Sequence, residues 1–273
     1  MQAHLRWTPP GGTLGTICHE AEARAEALQA RAGALERLAA DRPPAPSLKA
    51  ALRRPAVAVI AEVKRRSPSK GSIAAGLEAH TQAAAYAAGG AAAISVLTEP
   101  AHFAGSNDDL VAVRAHVEVP ALKKDFHVRP IQLVEARALG ASAALLIARA
   151  LAPARLREMM DAARALELET LVEIRDDTEL ERALELGATM IGVNNRDLES
   201  LVIDATTAER LIPRIPSRIL AVAESGISTV GDVERYAACG ADAVLVGSSI
   251  SAAAQPIEAT RAIAGVPRRA RGD

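Results

Sequence analysis

Eight short apolar segments, separated by helix-forming stretches, are the feature of this sequence that most restricts its fold. The segments are Val57–Val63, Ala91–Leu97, Pro120–Leu122, Ala143–Ala148, Thr170–Ile174, Met190–Val193, Ile219–Ala223 and Ala243–Val246. Continuous apolar runs of strand length are typical of parallel strands that are buried on both faces. Eight such strands with intervening helices predict an α/β fold, a closed (β/α)8 TIM barrel.

The stretches between the strands carry the composition and the end signals of helices. Three examples are Pro153–Leu166, Asp177–Leu186 and Val230–Cys239. Several of these helices are predicted to end at a glycine in the left-handed conformation. The glycines are Gly89, Gly140, Gly187 and Gly240. An open, doubly wound sheet is the alternative, but no GxGxxG motif follows any strand, which disfavours a dinucleotide-binding fold.

A helical extension precedes the first strand. Residues 14–40 are predicted to form one amphipathic helix, with Leu28, Leu35 and Leu38 on one side. A run rich in proline at 43–46 ends it, and a short helical piece follows. Because an apolar stripe must be buried, we expect this helix to cover the mouth of the barrel or a second subunit, and the mouth is favoured.

The chain is therefore predicted to have three parts. Residues 1–56 form the N-terminal helical extension, residues 57–265 the catalytic barrel, and residues 266–273 a basic C-terminal tail. The segment from Met1 to Gly12 lacks the apolar core of a signal peptide, and no apolar run reaches the ~20 residues of a membrane span. We expect a cytoplasmic protein with no membrane partner.

Charge and cysteine usage restrict the function further. The formal net charge of -1 and the absence of a basic stripe argue against a nucleic-acid partner. The short cluster Lys64-Arg65-Arg66 fits a small anionic substrate better. Cys18 and Cys239 have no metal-ligand spacing, so they are expected to be reduced thiols, and no metal site is expected.

Charged side chains collect at the carboxyl ends of the predicted strands, where such barrels hold their active sites. Glu62 and Lys64 lie two residues apart and share one face of the first strand. Lys124 follows the third strand and Glu173 lies on the fifth. We expect these four in the barrel mouth, where pairing tunes their pKa values. Lys123 and Arg175 are expected on the solvated rim.

Small residues follow the last two strands. They are Ser225 and Gly226 after the seventh, and Gly247 and Ser248 after the eighth. Barrels often bind phosphate at this position through backbone N–H groups and a short helix N-terminus, and glycine lets the backbone approach the anion. The pattern predicts a phosphate site.

Several motifs, taken in order, resemble those of the indole-3-glycerol-phosphate synthase family over about Pro46–Ile263. They are IAEVKRRSPSKG from Ile60, ISVLTE from Ile94, FAGS from Phe103, LKKDF from Leu122, LVEI from Leu171, IGVNNRDL from Ile191, AESGI from Ala223 and VGS from Val246. The resemblance implies a carboxy-lyase of tryptophan biosynthesis without a cofactor or metal. Its substrate would be 1-(2-carboxyphenylamino)-1-deoxyribulose 5-phosphate, which loses carbon dioxide and water as the indole ring closes.

The resemblance also implies roles for individual residues. Lys124 would be the general acid of ring closure, Glu173 the general base of dehydration, and Lys64, supported by Glu62, an anion contact and proton shuttle. The remaining implied residues are Asn194, Ser67, Arg196 and Glu224 for the polar groups of the substrate, Phe103, Phe126, Leu145 and Leu245 for the aromatic ring, and Ser225, Gly226, Gly247 and Ser248 for the phosphate.

Two other functions stay open from the sequence. One is another phosphate-binding barrel enzyme, such as phosphoribosylanthranilate isomerase, which would need a cysteine or aspartate acid–base pair near the strand ends. The other is a barrel that binds a phosphorylated ligand without catalysis. The expected partner is a small phosphorylated substrate, other tryptophan-pathway enzymes are candidates, and a monomer or weak dimer is expected.

Overall fold

The computed structural model describes residues 9–271 as a closed barrel of eight parallel strands surrounded by helices. Residues 1–8 of the predicted extension and residues 272–273 of the predicted tail lie outside the described residues. Residues 1–8 are also most of the segment that was predicted not to be a signal peptide. Within 9–271, no helix combines the length and apolar character that crossing a bilayer requires.

Ten strands occur in chain order within residues 9–271. They are β1 (Ala58–Val63), β2 (Arg66–Ser67), β3 (Gly71–Ser72), β4 (Ala93–Leu97), β5 (Ala121–Lys124), β6 (Ala143–Ile147), β7 (Glu169–Ile174), β8 (Met190–Asn194), β9 (Leu220–Glu224) and β10 (Ala243–Val246). The barrel order is β1-β10-β9-β8-β7-β6-β5-β4, closed by the pairing of β4 with β1, and β2 pairs with β3 in a small antiparallel hairpin. The predicted TIM barrel is confirmed, and the open sheet is excluded.

The helices lie outside this barrel. They are α1 (Gly12–Gln29), α2 (Ala32–Asp41), α3 (Leu48–Leu52), α4 (Ala79–Ala88), α5 (Pro100–Phe103), α6 (Asn107–His116), α7 (Pro130–Ala138), α8 (Pro153–Ala165), α9 (Asp177–Glu185), α10 (Thr206–Leu211), α11 (Val230–Ala238), α12 (Ser248–Ser251) and α13 (Pro256–Ile263). Short 3-10 turns occur at Ala148–Ala150 and Ile212–Arg214. The core between strands and helices is built from Ala, Val, Leu and Ile, which suits strands covered on both faces.

The strand boundaries agree with the sequence prediction within two residues. Differences of two residues occur at the start of β4, predicted at Ala91 and found at Ala93, and at the end of β5, which was predicted to stop at Leu122 and continues through Lys124. Main-chain pairing with β4 carries the strand on, since Val96 is in register with Lys123 and Leu97 with Lys124. Hydrophobicity does not predict that two adjacent lysines continue a strand. Here Lys124 faces the mouth, and Lys123 lies on the other side of the strand in a buried ion pair.

The extension contains two long helices where one was predicted. The break lies at residues 30–31, between α1 and α2. Leu35 is buried, but Leu38, predicted on the same apolar side, is 52% exposed. The turn redirects the chain, so a stripe that is continuous on a straight helix no longer faces one surface. The division into extension, barrel and tail remains a prediction.

The extension runs from the barrel mouth down the outside of the barrel. α1 buries Leu14, Ile17 and several smaller side chains, and α2 packs on α7. Arg137 of α7 donates to the carbonyl oxygens of Arg42 and Pro43 and so holds the proline-rich turn. The beginning of α1 lies at the mouth, since Thr13, Leu14 and Ile17 line the pocket there, and the role of the extension as a cover stays a prediction.

Glycine ends three helices as predicted, with positive φ angles at Gly140, Gly187 and Gly240. The prediction for Gly89 is wrong, because Gly89 has a φ of -76° and the next residue, Gly90, takes the left-handed conformation. Gly89 is required by packing instead: a Cβ there would lie 2.7 Å from the carbonyl oxygen of Ile257, at the start of α13.

Candidate active site

A pocket of about 350 Å³ opens at the carboxyl ends of the barrel strands. Every site residue predicted from the sequence lines it. These residues are Glu62, Lys64, Ser67, Phe103, Lys124, Phe126, Leu145, Glu173, Asn194, Arg196, Glu224, Ser225, Gly226, Leu245, Gly247 and Ser248. Barrel closure brings them together from eight different units of the chain, as expected for this face of the fold.

Lys124 lies between two carboxylates at the centre of the pocket. Its Nζ is 3.3 Å from Glu173 Oε2 and 3.0 Å from Glu224 Oε2. Burial opposes protonation of this amine, but the charges of Glu224, Glu173 and Glu62 outweigh it, and the pKa of Lys124 lies above its ordinary value. Lys124 is thus a largely buried ammonium group, with 13% of its side chain exposed, that carries a proton at neutral pH.

Glu224 has an unusual environment for a carboxylate. Its Oε1 is buried without a hydrogen-bond partner among the described residues. Burial, with repulsion from Glu173, raises the pKa of Glu224 to about 7, although Lys124 opposes this shift. The side chain fits only because residue 192 is glycine, where a Cβ would lie 2.0 Å from Glu224 Oε1. Glu224 can therefore exchange a proton near neutral pH, a property suited to acid–base chemistry.

Glu62 and Lys64 form a second pair on the β1 side of the pocket. Glu62 Oε1 and Lys64 Nζ are 2.5 Å apart. Burial disfavours the ionised carboxylate, but Lys64 and Lys124 outweigh it and hold the pKa of Glu62 below its ordinary value. Gly247 makes room for the pair, because a Cβ there would lie 2.5 Å from Glu62 Oε1 and 2.9 Å from Lys64 Cε.

Asn194 connects the carboxylate pair to the β8–α10 loop. Its Nδ2 donates to Glu173 Oε1 at 3.0 Å, and its Oδ1 accepts from the N–H of Arg196 at 2.9 Å. The Arg196 guanidinium in turn donates to the carbonyl oxygen of Leu201 at 2.7 Å. Glu173 is therefore oriented from both sides, by Lys124 and by Asn194.

The β9 and β10 ends present backbone to the pocket. Ser225 and Gly226 have consecutive left-handed φ angles of 66° and 78°, and Gly247 and Ser248 follow β10. Two successive residues in this conformation turn the chain sharply at the pocket wall. No acidic side chain stands on these four residues, so the wall suits an anion held by N–H and hydroxyl donors.

Apolar side chains form the opposite wall. The rings of Phe103 and Phe126 lie 6.2 Å apart with an interplanar angle of 35°. Leu145 and Leu245 complete this wall from β6 and β10. Such a surface fits a flat aromatic group, and the aromatic contacts come from the only two phenylalanines of the sequence.

Sequence reasoning missed several pocket residues. Thr13, Leu14 and Ile17 of α1 reach the pocket, although the sequence indicated only a cover of unspecified residues. Lys70 also lines it, and its ammonium group has no ion-pair partner within residues 9–271. The signal for Lys70 was present in the motif SPSKG, where a lysine follows the first strand without an acidic neighbour.

Two sequence interpretations of charged residues are wrong. Arg65, part of the cluster expected to meet an anionic substrate, pairs instead with Asp109 of α6. Lys123 is not a solvated rim residue: it is 2% exposed and pairs with Asp125 at 3.3 Å and Glu135 at 3.2 Å. Both side chains point away from the mouth into helix–strand contacts that hydrophobic patterns do not reveal. Arg175 is partly exposed and pairs with Asp197.

A group of potential metal ligands lies outside the pocket. Among residues 9–271, Glu20, Glu99 and His102 bring a histidine nitrogen and two carboxylates within 4.8 Å of one another. Glu99 is fully buried and already accepts from the N–H groups of Ala101, His102 and Phe103. Arg24 lies 3.4 Å from the same carboxylate. Its oxygens are therefore occupied in capping α5, which does not fit a metal site.

Comparison with known proteins supplies the family. The model of the family described as indole-3-glycerol phosphate synthase matches residues 14–263. The chain belongs to this family. The indole-3-glycerol phosphate synthase 2 of Streptomyces coelicolor is 48% identical over 90% of this chain and 96% of the relative. The enzyme of Mycolicibacterium smegmatis is 49% identical over 78% of this chain and 79% of the relative.

Membership of the indole-3-glycerol phosphate synthase family confirms the prediction made from the motifs, and with it the assignment to a decarboxylating lyase of tryptophan biosynthesis. Solved structures agree with the barrel. A 3-hexulose-6-phosphate synthase from Salmonella typhimurium has a TM-score of 0.58 at 18% identity, covering 76% of this chain and 96% of that one. A thiamine phosphate pyrophosphorylase from Pyrococcus furiosus has a TM-score of 0.56 at 18% identity, covering 78% and 95%. At such identities the likeness concerns the fold alone.

Proposed function

We propose that the pocket closes the indole ring of 1-(2-carboxyphenylamino)-1-deoxyribulose 5-phosphate and releases carbon dioxide and water. The observation that carries the proposal is the position of Lys124 between Glu173 and Glu224, beside an apolar wall on one side and a backbone-lined anion wall on the other. The substrate has a matching order of groups: an aromatic acid, a ketone and hydroxyls, and a phosphate.

Lys124 is the general acid of ring closure. As the ring carbon attacks the ketone, negative charge develops on the carbonyl oxygen, and a buried ammonium group is suited to supply a proton there. The two flanking carboxylates keep this amine protonated until the substrate oxygen takes the proton. Loss of carbon dioxide then restores the aromatic character of the ring that was attacked.

Glu173 is the base of the dehydration step. Its contacts with Lys124 and Asn194 hold Glu173 beside Lys124. Lys124 can therefore give a proton to the substrate oxygen, and Glu173 can remove a proton from the adjacent carbon. The proton that Lys124 gives to the substrate leaves in the released water, so Glu224, whose pKa is raised to about 7, takes up a proton from solvent and passes it to Lys124. Glu173 releases to solvent the proton that it removes. Asn194 and Arg196 orient the hydroxyl groups of the substrate.

Lys64 contacts the anionic substrate and passes a proton to the leaving hydroxyl, with Glu62 keeping it in place. Ser67, which accepts from the N–H of Lys70, organises the loop after β1 around the same groups. Phe103, Phe126, Leu145 and Leu245 enclose the aromatic ring. Ser225, Gly226, Gly247 and Ser248 hold the phosphate.

The alternative isomerase and the alternative non-catalytic barrel have less support. Cys18 is buried in α1, burial raises the pKa of its thiol to about 12, and Cys239 ends α11, so neither cysteine is suited to acid–base work in the pocket. A barrel that only binds a ligand has no need to bury a lysine between two carboxylates, since such burial costs several kcal/mol per ion.

The test is a fluorescence assay for indole formation on adding the carboxyphenylamino-deoxyribulose phosphate to the purified protein. We expect product with one carbon dioxide released per indole, and complementation of a tryptophan auxotroph that lacks this step. No product under conditions in which the substrate binds would refute the proposal and favour the non-catalytic barrel.

We also propose a cytoplasmic location and a monomer or weak dimer, with other tryptophan-pathway enzymes as candidate partners. The two free cysteines are compatible with a reducing compartment. Sedimentation of the purified chain, alone and with the enzymes that make its substrate and use its product, tests the oligomeric state and the partners.

A further inference from the structure

Asn195 is a buried polar residue that faces away from the pocket, directly after Asn194, which faces into it. It is 0% exposed, and its side chain makes three hydrogen bonds. Nδ2 donates to the carbonyl oxygen of Ser225 at 3.1 Å and to the hydroxyl of Tyr236 at 2.9 Å, and Oδ1 accepts from the N–H of Ala208 at 3.0 Å. Asn195 thus ties β8 to α10, to α11 and to the loop after β9.

The contact with Ser225 has a directional consequence for the next residue. The carbonyl of Ser225 and the N–H of Gly226 belong to one planar trans peptide, so they point in opposite directions. Asn195 holds the carbonyl on the side away from the pocket. The N–H of Gly226 is therefore aimed toward the pocket, and it has no hydrogen-bond acceptor within the described part of the chain.

This peptide needs an external restraint. Ser225 has a φ of 66°, a left-handed conformation that a residue with a Cβ keeps only where its surroundings enforce it. The hydrogen bond from Asn195 is such a restraint, because a relaxed Ser225 would rotate the shared peptide and move the N–H of Gly226 off its direction. Tyr236, 1% exposed, accepts the other hydrogen bond that Nδ2 of Asn195 donates.

We propose that Asn195 is a positioning residue of the phosphate subsite, which acts by aiming the N–H of Gly226 at the phosphate through the carbonyl of Ser225. The inference rests on the proposed function, in which the loop after β9 holds the phosphate. Asn195 itself touches no substrate atom, so it affects the binding of the phosphate and not the proton transfers at Lys124.

The test is Asn195→Asp, with Tyr236→Phe as the matched control. Aspartate keeps the acceptor for Ala208 and the shape of the side chain, but loses the donor to Ser225. Tyr236→Phe removes the other partner of Nδ2 and leaves the Ser225 contact in place. Steady-state kinetics and the inhibition constant of inorganic phosphate are measured for both variants and for the wild type.

We expect Asn195→Asp to raise KM and the phosphate inhibition constant about 10–100-fold, the range for one hydrogen bond to a charged group. The value of kcat should change less than threefold, and Tyr236→Phe should change KM less than threefold. Unchanged KM and phosphate inhibition constant in a folded Asn195→Asp variant would overturn the inference. An equal rise of KM in Tyr236→Phe would also overturn it, because the effect would then come from loss of packing around Asn195 and not from the contact with Ser225.

A second measurement does not depend on the folding of a variant. In the wild type, titration with inorganic phosphate should shift the NMR signal of the Gly226 amide more than that of Gly231, which lies in α11 outside the pocket. An unmoved Gly226 signal during competitive inhibition overturns the inference and leaves the proposed reaction intact. If phosphate does not compete with substrate at all, the phosphate subsite is wrong, and the inference falls with it.

Discussion

Replacing Glu224 by glutamine should change the pH dependence of stability in a direction opposite to that of most carboxylate substitutions. Glutamine keeps the shape and an acceptor oxygen for Lys124, which lies 3.0 Å from the carboxylate. The glutamine side chain has no ionisable group, so the variant no longer binds or releases a proton at this position. The reason for the unusual direction is that burial raises the pKa of Glu224 from 4.5 to about 7 in the folded protein.

The sign follows from proton linkage. Between pH 4.5 and pH 7 the folded protein keeps a proton on Glu224 that the unfolded chain has released, so the free energy of unfolding falls as pH rises. At 1.36 kcal/mol for each pKa unit, the loss over this interval is roughly 3 kcal/mol. The variant lacks this loss. Relative to the wild type, it should therefore gain stability as pH rises from 4.5 to 7 and show no further relative gain above pH 8.

The assay is urea unfolding followed by circular dichroism at pH 5, 6, 7 and 8, with Glu62→Gln as the control. The pKa of Glu62 is lowered, so its stabilising contribution is present at neutral pH and lost as pH falls through its folded pKa. Between pH 5 and 8 Glu62 is largely ionised in both the folded and the unfolded chain, so the difference between the control and the wild type should stay nearly constant over this range and change only as pH falls below about 4.5. A difference between Glu224→Gln and wild type that stays constant from pH 5 to 8 would refute the reasoning.

Four further substitutions are expected to separate catalysis, binding and stability. Lys124→Ala should lower kcat ~10²–10⁴-fold with folding retained, the range for one acid–base group, and activity within a few-fold of wild type would contradict the assigned role. Gly247→Ala should raise KM, because its Cβ would lie 2.5 Å from Glu62 Oε1, and inhibition by phosphate should weaken in parallel. Arg24→Ala should raise KM more than it lowers kcat, since Arg24 anchors α1 to the loop after β5, and equal KM values would exclude this anchoring. Arg271→Ala should lower the free energy of unfolding by about 1.5–3 kcal/mol, the range for a hydrogen bond to a charged group, because Asp242 loses one of two arginine partners and keeps Arg268, and calorimetry measures this loss.

The barrel could be predicted because its signals are local. Each strand is a run of apolar residues, and each helix between strands carries its own composition and end residues. The failures have a common cause. Leu38 is exposed although it continues an apolar stripe, and Gly89 serves close packing on α13 instead of a left-handed turn. Both depend on a contact or a chain direction that neighbouring residues do not encode.

The identity of the site residues was also available from the sequence, because barrels place the residues after each strand at one mouth. Motif order and strand position together brought the predicted residues to a single pocket. The interpretation of Lys123 failed beside the correct placement of Lys124. Adjacent residues on a strand face opposite sides, and only the packing of α7 against β5 shows that the outer side is buried and supplies Glu135.

The amino-acid sequence was sufficient to predict the barrel, the family and most of the side chains at the mouth. The chemistry of these side chains depends on the tertiary structure. Lys124 meets Glu173 and Glu224, residues 49 and 100 positions further along the chain, only when the barrel closes. Burial then raises the pKa of Glu224, and the neighbouring carboxylates raise the pKa of Lys124 against the opposing effect of burial. A pKa depends on desolvation and on charges within a few ångströms, and neither quantity exists until distant strands share one pocket.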